Sequence, residues 1–444
     1  MGYNYIELLP ITEHPYYGSW GYQVTGYYSV TSRYGLPNDF MYLVDYAHNN
    51  GIGVLMDWVP AHFPKDSFGL FEFDGKCLYE YYNSKKREFK TWGTRMFNFS
   101  KPEIKSFLIS SACFFLEKYH IDGLRVDAVS AMLYLDYDRE KFVLNKNGDI
   151  FNLEAIEFLK SLNTEIRNKF KNKNIIMIAE ESTAFPNITL DVNKGGLGFD
   201  YKWCMGWMND TLEYMKTDPY FRSYIHNKMT FTSTYIFDEK YILPLSHDEV
   251  VHCKSSLIEK MPGDYDLKFS GLRLYYLYMM THPGKKLSFM GNEFGQFIEW
   301  DENKQLDWFL LKYPKHKMFQ YFIKKLNHFY LNNSILYEID NNWDGFEWIN
   351  ADDCNNNVYV YTRKNYQGKL LYVILNFSGV SLIDYKINHH ELNGIYKIIF
   401  NTNDSVYGGD GELQVKECTA KKGILNIDIP KMSGLVLSKK YHNI

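Results

Sequence analysis

Four stretches of the chain end an apolar run in side chains that can do chemistry. Asp57 closes the first, with His62 just beyond it. Arg125 and Asp127 close the second, Glu180 and Glu181 the third, His247 and Asp248 the fourth. In GLRVDAV (123–129) the two charges are two residues apart, and a β-strand places residues i and i+2 on one face. Arg125 and Asp127 are therefore expected to point the same way. A single Asp after a strand is commonly the N-cap of the next helix. Four polar strand ends in succession point instead to one shared site.

Glycoside transfer needs two carboxyls in different protonation states. Arg125 favours the ionised form of Asp127, which suits a nucleophile. Glu180 follows the apolar run IIMIA and is flanked by Glu181. Desolvation and a like charge both raise a carboxyl, which suits a general acid that later acts as base. Asp248 is a third carboxylate, available to bind sugar hydroxyls and help hold a strained transition state.

The elements that must position these groups alternate between strand and helix. YIELLP (5–10) and VLMDWV (54–59) read as strands, as do GLRVD (123–127), NIIMIAE (174–180), YILPLSHD (241–248) and KLSFMGNE (286–293). A helix is expected from Asn38 to Asn50, with Phe40, Leu43, Val44 and Ala47 on one face and Gly51 as its stop. Ser100 and Glu103 form a capping-box pattern before a helix carrying Ile104, Phe107, Leu108, Phe114 and Phe115. Leu153 to Phe170 carries Ile156, Leu159, Leu162 and Ile166 at helical spacing. This order argues for a parallel sheet covered by helices, and the number of units favours a barrel, whose catalytic groups sit at the C-terminal strand ends. From about Asn341 short alternating runs such as NNVYVYTR (356–363), KLLYVILNF (369–377) and GILNIDIP (423–430) predict an all-β module. The expected domains are a catalytic barrel over 1–340 and a β-sandwich over 341–444.

Composition bounds the rest. The chain has 444 residues, 45% of them hydrophobic, and 49 basic against 53 acidic residues, for a net charge of −4. That balance gives no reason to expect a nucleic-acid or membrane partner. No run approaches the ~18 apolar residues of a membrane span. The six cysteines lie far apart and no secretory leader is evident, so reduced thiols and a cytoplasmic monomer are expected. Aromatics reach 18%, with 38 tyrosines; some can stack on sugar rings, but most are expected in ordinary cores.

DWVPAH (57–62), GLRVDAV (123–129), AEES (179–182) and LSHDE (245–249) resemble the four ordered motifs of the α-amylase superfamily. Residues 7–35, 195–216, 244–264 and 283–296 further resemble the 1,4-α-glucan branching enzymes of the bacterial glycogen pathway. The resemblance runs through nearly the whole chain. It implies Asp127 as nucleophile, Glu180 as acid/base and Asp248 as transition-state stabiliser, with Tyr22, Asp57, His62, Arg125 and His247 binding the sugar. It implies α-1,4-glucan donor and acceptor chains, α-1,6 branches as product, and no cofactor. Two displacements retain the anomeric configuration, so the two catalytic carboxyls are expected about 5–5.5 Å apart. The same carboxylates would also serve an α-glucan hydrolase. An inactive, glucan-binding fragment is the third reading.

Three positions depart from the pattern. Ala61 stands where many α-amylases have a calcium-binding Asn, so no metal is expected. Cys253 stands where branching enzymes usually have glycine; it is either a tolerated small residue or a thiol activated by Lys254. The opening MGYNYIELLP resembles the second strand of the barrel, so the expected fold is a (β/α)8 TIM-type barrel missing its first β/α unit, followed by the all-β sandwich domain. Such a barrel would expose edges at the strands near Tyr5 and Met290, with reduced stability.

Overall fold

The computed structural model describes residues 1–440, which fall into two compact units. The first holds Tyr3–Trp203 with Asp238–Lys240. Its frame is five strands: β1 (Tyr5–Leu8), β2 (Gly53–Trp58), β3 (Gly123–Val126), β4 (Ile176–Ala179) and β5 (Tyr201–Trp203). They pair in parallel in that order. Parallel neighbours need a crossover, and helices supply it. These are α1 (Pro37–Asn49) between β1 and β2, α2 (Pro102–Lys118) between β2 and β3, and α3 (Leu153–Lys169) between β3 and β4. Met56, Leu124, Val126 and Met177 of the strands share one core with Val44, Leu108, Phe115, Leu159 and Ile166 of the helices.

Local chemistry decides the ends of these elements. α1 is capped by Asp39, whose carboxylate accepts the Leu36 N–H at 2.6 Å. Its buried stripe is Phe40, Val44 and Ala47; Leu43 is turned outward and 42% exposed, contrary to expectation. The capping box at Ser100 and Glu103 does not form. α2 starts instead at Pro102, a residue pre-set for the first helical turn, and the Ser100 hydroxyl donates to Asn98 Oδ1 at 2.6 Å. Along β1, Tyr5 and Ile6 are exposed.

The second unit contains two parallel strands, β6 (Tyr241–Leu245) and β7 (Lys285–Ser288), and three helices, α4 (Met205–Lys216), α5 (Tyr265–Thr281) and α6 (Pro314–Asn332). It also contains eight C-terminal strands. These are β8 (Phe346–Asp353), β9 (Val358–Lys364), β10 (Leu370–Asn376), β11 (Leu382–Asn388), β12 (Gly394–Asn401), β13 (Glu417–Ala420), β14 (Ile424–Ile429) and β15 (Ser433–Lys439). Six form one antiparallel sheet in the order β8-β9-β10-β15-β12-β13, and β11 pairs with β14 in a separate ribbon. Val360, Ile374 and Leu437 of the sheet share a core with Ile387, Leu425 and Ile427 of the ribbon, which makes a sandwich of unequal layers.

Candidate functional site

The strand register brings most of the expected side chains together in the first unit. Asp57 lies opposite Arg125 on the neighbouring strand, and Arg125 opposite Ile178, two residues before Glu180. Arg125 is 1% exposed and its guanidinium is shared. Nη1 donates to Asp57 Oδ2 at 3.0 Å and to Asp127 Oδ1 at 2.7 Å, while Nη2 lies 3.6 Å from Glu180 Oε2. Arg125 and Asp127 thus share a face. The Trp203 ring of β5 covers the guanidinium at 4.3 Å, and the Tyr22 ring lies at 5.7 Å. Flat, weakly hydrated guanidinium suits such stacking.

Tyr22 donates its hydroxyl to Asp57 Oδ2 at 2.5 Å. The preceding Gly21 has φ +94°, and a Cβ there would meet Pro10 O at 2.0 Å, so only glycine lets the loop deliver Tyr22. His62 Nδ1 lies 2.9 Å from Thr94 Oγ1, and Nε2 lies 3.6 Å from Asp127 Oδ2. The Trp92 ring meets His62 edge-on at 4.6 Å. Burial pulls His62 down to about 4, so the imidazole facing Asp127 is neutral near pH 7.

After Asp127 the chain turns through Ala128 in the left-handed region, φ +51°. That turn aims the Ala128 N–H at Glu180 Oε2, at 2.7 Å. Glu180 is one-fifth exposed at its side chain, so it is less enclosed than its apolar strand suggests. Glu181 is not the like-charged neighbour expected for it. It is fully buried, 2.5 Å from Lys202 Nζ, and Oε1 accepts from Ser130 Oγ and the Thr183 N–H. Lys202 also donates to Thr183 O at 2.9 Å, which anchors the turn after Glu180.

The charge balance around Asp127 also differs from expectation. Burial, Glu180 and Asp57 push its carboxyl well above the usual range, outweighing the pull of Arg125. One guanidinium is shared by Asp57, Asp127 and Glu180, so its pull on any one of them is divided. Glu7, inside β1, joins the group: burial and Asp57 push it up to about 8, against Arg125. Sequence reasoning missed Glu7, although one charge within the apolar run YIELLP was its signal. It also missed Trp203, which lies on a three-residue strand too short to read, and Thr94.

His247 and Asp248 lie in the second unit, in the turn His247–Glu249 that follows β6. His247 Nε2 is 3.3 Å from Asp248 Oδ1; the histidine is buried and the aspartate 41% exposed at its side chain. Near Cys253, the Lys254 ammonium pairs with Glu249 Oε1 at 3.0 Å, so that lysine is not aimed at activating the exposed thiol.

Among the described residues, one group of acidic and thiol side chains is close enough to hold a cation: Glu72, Cys77 and Glu80. Arg95 already fills that role. Its Nη1 donates to Glu72 Oε1 and Glu80 Oε1, both at 2.8 Å, and reaches Cys77 Sγ at 3.8 Å. Ala61 is fully buried and offers no side-chain ligand.

Comparison with known proteins gives a consistent picture. The alpha amylase catalytic domain family matches residues 1–96, and the alpha amylase C-terminal all-beta domain family matches residues 348–440. Among solved structures, an alpha-amylase from Geobacillus thermoleovorans superposes with a TM-score of 0.72 at 16% identity, covering 100% of this chain and 89% of that one. An alpha-amylase from H. orenii superposes at 0.69 with 19% identity, covering 99% and 90%. These two establish the fold. In sequence, the chain is 54% identical to the 1,4-alpha-glucan branching enzyme GlgB of Halothermothrix orenii over 93% of its length. It is 51% identical to GlgB 1 of Clostridium perfringens over 99% and 50% identical to GlgB of Aquifex aeolicus over 98%. It spans 65%, 66% and 70% of those three relatives. The chain belongs to the 1,4-alpha-glucan branching enzyme family, within the alpha-amylase fold.

Proposed function

We propose that the chain catalyses α-1,4-glucan branching. Asp127 attacks the anomeric carbon of an α-1,4 bond while Glu180 protonates the leaving oxygen. A glycosyl ester on Asp127 forms. Glu180 then takes the proton of an acceptor's 6-hydroxyl, which attacks the same carbon, releases Asp127 and makes an α-1,6 bond. Glu180 Oε2 is engaged by the Ala128 N–H and faces Arg125, so the proton leaves from Oε1. Asp248 stabilises the positive charge of the transition state. Tyr22, Asp57, His62, Arg125 and His247 bind the sugar around the bond that breaks. The donor and acceptor are α-1,4-glucan chains, and the protein acts as a cytoplasmic monomer that needs no metal. Residues 1–340 carry the reaction and 341–444 form the accessory β-domain.

One observation carries this reading: a single buried guanidinium holds Asp57, Asp127 and Glu180 within its reach, with Tyr22 bonded to the first. Charge arranged in advance around developing positive charge is what such a displacement requires. The test is incubation of the chain with amylose, with α-1,6 linkages counted by anomeric-proton NMR beside a reducing-end assay. New α-1,6 signals without matching reducing ends are expected. Asp127→Asn and Glu180→Gln should each lower the α-1,6 signal by at least about a thousandfold. Reducing ends without α-1,6 bonds would instead identify a hydrolase.

A further inference from the structure

Trp92 lies in a tight loop of the first unit and keeps 39% of its surface exposed. Its ring meets His62 edge-on at 4.6 Å and Phe89 edge-on at 5.5 Å, and it stacks on the Tyr137 ring at 6.0 Å. His62 is held without it. Phe89 packs on the imidazole at 5.6 Å, and Thr94 Oγ1 fixes Nδ1 at 2.9 Å. A half-open indole beside a proposed sugar-binding histidine therefore has another use.

The surrounding backbone is strained to keep the ring in place. Asp138 adopts φ +53°, a region that side chains with a Cβ rarely occupy. Its carboxylate accepts the Thr91 N–H at 2.9 Å and the Thr91 hydroxyl, and its carbonyl accepts the Lys90 N–H at 3.2 Å. Within the loop, the Phe89 N–H donates to Thr94 O at 3.0 Å. Arg139 Nη1 donates to the carbonyls of Tyr134, Leu135 and Tyr137, while its guanidinium lies on the Phe89 ring at 4.6 Å. The segments 89–94 and 136–140 are thus locked to each other and carry the Trp92–Tyr137 stack between them. That stack links the two sides of the site. Trp92 borders His62, whose Nε2 is 3.6 Å from Asp127 Oδ2, and the Tyr137 hydroxyl bonds the side chain of Ser182, two residues after Glu180.

We infer that Trp92, backed by Tyr137, is a specificity-determining platform on which a glucose unit adjoining the cleaved bond of an α-1,4-glucan stacks. This rests on the branching reading above. One face of a glucose ring is a patch of C–H groups bordered by hydroxyls. Laying that patch on an indole takes apolar surface out of water, and the electron-rich face of the ring attracts the C–H hydrogens. A ring already locked in place loses little conformational freedom in doing so. Linkage matters as well. α-1,4 bonds curve a glucan and β-1,4 bonds extend it, so one fixed platform beside one fixed histidine suits the curved chain alone.

The first test needs no variant and no turnover. The chain is oxidised with limiting N-bromosuccinimide alone, with maltoheptaose and with cellohexaose, and the oxidation of each tryptophan is read by peptide mass spectrometry. Trp343, 51% exposed in the second unit, is the internal reference. Maltoheptaose should slow oxidation of Trp92 about fivefold or more, as direct cover by a ligand requires, and leave Trp343 unchanged. Cellohexaose should protect neither. No protection of Trp92, equal protection by cellohexaose, or equal slowing at Trp343 would overturn the inference. The second test compares Trp92→Leu with Trp92→Phe, which keeps a ring. KM for maltoheptaose should rise about tenfold in the first and less in the second, with kcat little changed, because a stacking contact binds ground state and transition state alike. A fall in kcat at unchanged KM would mean that Trp92 acts only by holding His62, and would overturn the platform. If α-1,6 bonds form but Trp92 is not protected, the platform falls and the branching reading stands. If Trp92 is protected but no α-1,6 bonds form, the branching reading falls and the α-glucan platform stands.

Discussion

Arg125 is one cation facing Asp57, Asp127 and Glu180 at direct range, with Glu7 on β1, the strand beside that of Asp57. Glu7, held up to about 8 by burial and Asp57, keeps its proton near pH 7. That placement leaves the guanidinium to the carboxylates it touches. It also ties stability to pH. A carboxyl raised from 4.5 to about 8 by folding contributes stability that is fully present below 4.5 and lost as pH climbs through 8. Glu7→Gln cannot titrate. Unfolding free energy between pH 5 and pH 8.5 should therefore fall less steeply in the variant, by a difference on the order of 4 kcal/mol. Parallel slopes would show that Glu7 does not hold the proton.

At the scale of elements, the segment after β6 shows how backbone shape and residue type can disagree. Cys253 sits at φ +64°, where glycine fits without strain. Cys253→Gly should relieve that strain while freeing more conformations in the unfolded chain. The net gain expected is about 0.5–1 kcal/mol, read as a midpoint about 1–3 °C higher. A lower midpoint would mean that the thiol makes contacts of its own. The strands and helices themselves were largely readable, because apolar periodicity reports burial. Asp57, Arg125, Asp127 and Glu180 were readable as polar strand ends, since period two puts alternate residues on one face. What was not readable depends on neighbours distant in the chain. Ser100 and Glu103 have the pattern of a cap, but Pro102 and Asn98 compete for the same turn. Glu181 looks like a second acid beside Glu180 until Lys202, on a strand of three residues, is seen to neutralise it. The upward push on Asp127 comes first from burial and then from Glu180 and Asp57, none of which a pairwise reading along GLRVD could count.

Over the whole molecule, the expected boundary at residue 340 does not coincide with a gap in packing. Tyr359, Val373, Leu375 and Val436 of the C-terminal sheet belong to the same buried cluster as Tyr278 and Phe319 of α5 and α6. Gly434 is so close to α5 that a Cβ there would meet Leu277 Cδ2 at 2.6 Å. Buried arginines tie the same parts together: Arg222 donates to Phe377 O, Arg273 to Thr402 O, and Arg363 pairs with Asp340 at 3.0 Å. A chain cut after residue 340 should therefore expose a continuous apolar surface and lose most of its soluble yield. A soluble fragment with an unchanged melting profile would show that the part before residue 341 folds on its own.

If the chain acts on glucans as proposed, the carboxyls around Arg125 should favour something no glucan carries. Three carboxyls face one guanidinium in that corner, and Trp203 and burial keep water from screening them. A neutral sugar gains nothing from them until its ring begins to lose the leaving group. A ring with a protonated nitrogen gains at once. An iminosugar should therefore bind about tenfold or more tighter than its uncharged carbocyclic twin, as a mimic of the positive transition state should. Asp127→Asn should narrow that gap in a calorimetric titration of the pair.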